Sequence, residues 1–106
     1  MYINSEVLKR LYGEGVHGEV QVSGNKVWYY ANKNDTLQSY VDAERLVTTI
    51  KNTILSRPGS LIHLEISGTG SHRYRVSINN NREFHGATEL EAFVSQASDL
   101  LERGEF

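Results

Sequence analysis

Apolar positions in this chain switch between a helical period and a strand period. Ile3, Val7, Leu8 and Leu11 recur every three or four residues, which predicts a short first helix. Asn4 or Ser5 can cap it, and Gly13 and Gly15 stop it. Val16, Gly18, Val20 and Val22 then alternate with His17, Glu19 and Gln21, as in a half-buried strand. Ser23-Gly24-Asn25 signals a hairpin turn, and Lys26–Ala31 is the returning strand. Its register has two solutions. A two-residue Gly24-Asn25 loop pairs Val22 with Val27 and Val20 with Tyr29, placing Trp28 and Tyr30 beside Glu19 and Gln21. A three-residue loop pairs Val20 with Trp28 and buries Trp28 and Tyr30. Burial of the only tryptophan is the expectation; its exposure would mark a binding site.

The next stretch, Asp35 to Arg57, reads as one long helix of about 22 residues and about 33 Å. Asp35 and Gln38 have the spacing of a capping box. Tyr40, Ala43, Val47, Ile50 and Ile54 line the main face, while Leu37, Val41 and Leu55 form a flanking strip. Arg57-Pro58-Gly59 ends the helix. The flanking strip is a contact for the first helix, a second subunit or a partner.

Leu61 to Ser67 returns to period two, with Ile62, Leu64 and Ile66 inward and His63 and Glu65 outward. Gly68-Thr69-Gly70 turns the chain into His72–Asn79, with Tyr74, Val76 and Ile78 inward and Arg73, Arg75 and Ser77 outward. Glu65 then lies opposite Arg73 or Arg75. Arg82–His85 adds a short third strand, with Phe84 inward. Thr88-Glu89-Leu90-Glu91 opens a last helix whose apolar face is Leu90, Phe93, Val94, Ala97, Leu100 and Leu101, ended by Gly104.

The order is α-ββ-α-ββ(β)-α. It predicts a single α+β domain over residues 1–106: a two-layer sandwich whose one antiparallel sheet of four to five strands is covered on one face by two long helices. The other face would gather His17, Glu19, Gln21, His63, Glu65, Arg73 and Arg75, joined by Trp28 and Tyr30 if the two-residue loop forms. Trp28, Tyr30, His63, Glu65, Arg73 and Arg75 are the candidate binding residues.

Composition narrows the chemistry. Eleven Lys and Arg against thirteen Asp and Glu leave a net charge of -2, so bulk attraction to phosphate backbones is absent. With no cysteine there is no disulfide, thiolate metal site or cysteine nucleophile. No apolar run approaches the roughly 18 residues of a membrane span and no signal-peptide pattern opens the chain, so a cytoplasmic protein is expected. The Asn34-Asp35-Thr36 sequon is then a chance match.

His17, His63, His72 and His85 lack metal-ligand spacing, and no nucleophile elbow surrounds Ser67 or Ser71. Gly68-Thr69-Gly70 lies between two strands, with no helix N-terminus after it to hold phosphate. The expectation is therefore no enzyme, no cofactor, no metal and no small-molecule site. Trp, Tyr and Arg on a sheet face have the composition of a protein interface core, which favours a protein partner or self-association as a homodimer. The alternative is a sheet that stacks single-stranded nucleic acid on Trp28, Tyr30, Arg73 and Arg75, opposed by Glu19 and Glu65.

The element order is similar to that of the small acidic dimeric chaperones of type III secretion, although this chain is less acidic. That resemblance implies a dimeric chaperone. Its size and lack of catalytic motif resemble small inhibitory proteins that block a larger machine, including virus-encoded inhibitors of bacterial defence. These likenesses imply an inhibitor, adaptor or chaperone.

Overall fold

The computed structural model describes residues 2–106, with Tyr2 described by its backbone alone. The chain is α+β, with antiparallel sheets and three α-helices among the described residues. It begins with β1 (Tyr2–Ile3), α1 (Ser5–Tyr12), β2 (His17–Ser23), β3 (Lys26–Tyr30) and β4 (Gln38–Asp42). It continues with α2 (Ala43–Leu55), β5 (Ile62–Ile66), β6 (Tyr74–Ile78), β7 (Phe84–Gly86) and α3 (Glu89–Glu102). The expected single sheet is replaced by two, ordered β1-β2-β3-β4 and β5-β6-β7. Contacts group the chain into two compact units, Met1–Leu46 and Val47–Phe106, with the boundary inside α2.

In the first unit, Asn4 caps α1 by accepting the Glu6 N–H on its Oδ1 at 2.9 Å. Val7 and Leu8 are buried, and α1 lies against β2. The two-residue Gly24-Asn25 loop is the one that forms: Ser23 pairs with Lys26, Val22 with Val27 and Gln21 with Trp28. The ladder is interrupted between Gln21 and His17, and His17 pairs with Tyr30. Gly18 makes this irregularity possible. Its φ is +70°, and an added Cβ would lie 2.7 Å from the Tyr30 ring. The short strand β1, absent from the sequence reading, pairs Ile3 with Val20.

The main correction concerns Asp35–Arg57. Only Ala43–Leu55 is helical, a run of 13 residues. Gln38–Asp42 is a strand on β3, with Val41 opposite Val27, Tyr40 opposite Trp28 and Ser39 opposite Tyr29. Asp35 caps nothing; its φ is +53° in the loop. The turn is held by Asn32, whose Oδ1 accepts the N–H groups of Thr36 at 3.0 Å and Leu37 at 3.2 Å. The physical reason is tertiary. The central strand Lys26-Val27-Trp28-Tyr29-Tyr30 needs hydrogen-bond partners on both edges, and Tyr40 and Val41 favour a strand once paired. The helix then starts directly, with the Ala43 N–H on the Asn25 carbonyl at 2.7 Å.

In the second unit the expected pairing holds: Glu65 lies opposite Arg75 and Leu64 opposite Val76, and β7 adds the third strand. His72, expected to begin a strand, instead ends the 3-10 turn Gly70–His72. The capping of α3 is as the sequence signals, with Thr88 Oγ1 accepting the Glu91 N–H at 3.2 Å. Glu91 Oε2 reaches one residue further back, to the Ala87 N–H at 3.2 Å. α3 packs on β6 and β7, burying Leu90, Phe93, Ala97 and Leu100. Burial of a large apolar side chain is worth about 1.5–3 kcal/mol. β7 approaches α3 so closely that a Cβ on Gly86 would lie 2.8 Å from the Ala92 nitrogen. A salt bridge at 2.6 Å joins Lys51 of α2 to Glu89 of α3.

Candidate functional site

β4 is the last strand of its sheet. The hydrogen bonds at its ends, from Ala31 N to the Leu37 carbonyl and from Ala43 N to the Asn25 carbonyl, define the alternation. Val41 and Ser39 form hydrogen-bonded pairs with Val27 and Tyr29. The N–H and C=O groups of Gln38 and Tyr40 therefore point away from β3, along an edge that no described strand covers.

The side chains of the same residues lie on the sheet face that carries Lys26, Trp28 and Tyr30. Trp28 and Tyr40 have ring centroids 5.0 Å apart, tilted by 50°. Lys26 Nζ lies 4.5 Å from the Tyr40 ring centroid and 5.8 Å from that of Trp28. A cation over an aromatic face gains about 0.5–1 kcal/mol at an exposed site. Tyr40 is 47% exposed, whereas Trp28 and Tyr30 are half-buried. Beside them a notch of about 110 Å³ is lined by Glu19, Gln21, Trp28, Tyr30 and Gln38. Trp28 is thus neither buried in a core, as expected, nor fully open. It forms the floor of a shallow surface.

The other predicted residues sit on the second unit's sheet. His63 Nε2 donates to Glu65 Oε1 at 3.1 Å, and Arg75 Nη2 lies 2.9 Å from Glu65 Oε2 and donates to Ser67 Oγ at 2.7 Å. The His63 hydrogen bond and, after it, the Arg75 guanidinium hold the Glu65 carboxyl below its ordinary 4.5. Beside them the His72 and His85 rings stack at 3.8 Å, and His72 Nδ1 lies 3.1 Å from Ser71 Oγ. Among the described residues, no group of three or more His, Asp or Glu could hold a metal ion. Arg73 is not part of the Glu65 cluster: it donates to the Gly68 carbonyl at 2.9 Å and lies over the Tyr74 ring.

So the sequence-predicted face does not form on one sheet. Trp28 and Tyr30 belong to β3, while His63, Glu65 and Arg75 belong to β5 and β6. The flanking strip is also overturned. Leu37 lies in the loop before β4 and is 60% exposed, Val41 is in β4, and only Leu55 is helical. The residues missed were Lys26 and Tyr40. A helix over Asp35–Arg57 keeps Tyr40 away from Trp28, whereas strand β4 sets the two opposite each other. The signal available was Lys26-x-Trp28-x-Tyr30, which puts a cation and two rings on one strand face.

No helix among the described residues is long and apolar enough to cross a membrane. No protein-family model matches the chain, and comparison with curated proteins and with solved structures likewise finds no match.

Proposed function

We propose that this protein is a non-enzymatic interaction module, acting as an inhibitor, adaptor or chaperone, that captures an extended segment of a larger protein by strand addition to β4. The observation that carries this reading is one strand presenting two things together. Gln38 and Tyr40 offer unpaired main-chain groups, and Tyr40, Trp28 and Lys26 form an aromatic and cationic surface beside them. Main-chain bonds along an edge supply affinity without regard to sequence, and alternate side chains of the incoming strand supply specificity. The notch at Trp28 has room for one such side chain, and Glu19 in its wall favours a basic one.

The test is selection of binders from a random-peptide display library against the full chain. Binders are expected to lose at least about tenfold in affinity on Gln38→Pro, equivalent to about 1.4 kcal/mol, or one to two net hydrogen bonds. Gln38→Pro removes an outward N–H from an edge position that tolerates proline, so the far-ultraviolet dichroism should be unchanged. Tyr40→Ala should weaken the same binders. Binding insensitive to both substitutions would refute strand addition at β4, and so would a library yielding no binder.

A further inference from the structure

The second unit carries an open cleft of about 320 Å³, at the lower end of the roughly 300–1,000 Å³ typical of small-molecule sites. Ile54, Ile78 and Leu100 give it apolar walls, and Arg57, Asn79 and Gln96 give it polar ones. Gln96 is 1% exposed, yet its Oε1 has no hydrogen-bond partner among the described residues. A buried acceptor left unpaired is costly and calls for a donor. Arg57 donates to the Glu105 backbone carbonyl at 3.3 Å, whereas Arg103, which also lines the cleft, is paired with Asp99 at 2.8 Å and with Glu105 at 3.7 Å.

We propose that this cleft binds a small organic monocarboxylate that also carries a hydroxyl or N–H donor. The carboxylate meets Arg57, whose planar guanidinium matches it with two parallel hydrogen bonds. The donor meets Gln96 Oε1, which has under 1 Å² of accessible surface, so binding includes a local shift that uncovers it, and the carbon body lies against the apolar walls. The charge of the site selects a monoanion. Asp99 and Glu105 offset the two guanidinium groups, so the site holds no surplus positive charge to meet the larger desolvation cost of a dianionic phosphate. The site lies wholly within Val47–Phe106 and is independent of the β4 edge.

The test is a nuclear magnetic resonance titration of the full chain with 4-hydroxybenzoate and 4-hydroxybutyrate, following the Gln96 side-chain amide and Arg57 Nε. At least one of the two should shift both signals saturably. Benzoate and butyrate, which lack the donor, and 4-hydroxybenzyl alcohol, which lacks the carboxylate, should each bind at least about tenfold more weakly, as expected for loss of one hydrogen bond to a charged or buried group. Arg57→Gln, at an exposed position, should leave the spectrum folded and weaken binding by a similar factor. The proposal is overturned if neither hydroxy acid produces a saturable shift at Gln96. It is equally overturned if inorganic phosphate binds as tightly, or if Arg57→Gln leaves the affinity unchanged.

Discussion

Glu65 takes a hydrogen bond from His63 and an ion pair from Arg75 while remaining 47% exposed. Both contacts favour the charged carboxylate, so its folded-state pKa lies below the ordinary 4.5. A carboxyl depressed on folding adds stability above its unfolded pKa and loses it as pH falls through the folded value. Carbon-13 titration should therefore place the Glu65 midpoint below 4.5 in the native chain and return it toward 4.5 in His63→Ala. An unchanged midpoint in that variant would show that His63 is not the main cause. Gly18 is constrained by its backbone: at φ +70°, and with the Tyr30 ring 2.7 Å from an added Cβ, Gly18→Ala combines strain with a clash. It should destabilise the chain by about 1–3 kcal/mol in urea unfolding. Thr88→Ala removes the cap of α3 and should cost about 1 kcal/mol by the same measurement.

β4 shows how a strand can occupy a stretch that reads as a helix. Its inner N–H groups bond to β3 and its outer ones do not, so two neighbouring prolines should have opposite outcomes. Ser39→Pro removes a ladder bond to Tyr29 and should lower stability by at least about 2 kcal/mol. Gln38→Pro, one residue earlier, should unfold at nearly the wild-type urea midpoint. Equal effects would mean that the hydrogen-bond alternation along β4 is reversed. The helices with complete local signals needed no such arbitration. Asn4 caps α1, and Thr88 and Glu91 cap α3, at the positions their residue types indicate.

For the chain as a whole, a net charge of -2, with Glu19 and Asp42 flanking the aromatic strip, argues against single-stranded nucleic acid as the partner. Retardation of single-stranded oligonucleotides is expected to be absent even at low salt, and a shift abolished by Lys26→Ala would reverse that assignment. Local patterning was enough for the α+β class, for the existence of the hairpins at Gly24-Asn25 and Gly68–Gly70, for narrowing the partner of Glu65 to Arg73 or Arg75 and for the two capped helix starts. Each of these depends on residues close in the chain or on simple alternation. It was not enough for the register at Gly24-Asn25 or the choice of Arg75. The partition into two sheets, the strand at Gln38–Asp42 and the meeting of Trp28 with Tyr40 were not legible. In Gln38-Ser39-Tyr40-Val41-Asp42 the helical and strand periods both fit, and the choice is made by the unpaired edge of β3, a partner that no local pattern names. The candidate site followed the same division. Trp28, Tyr30, Glu65 and Arg75 could be singled out by residue type. Which of them share a surface was set by strand order, because a side chain's neighbours across a sheet come from pairing and not from sequence distance.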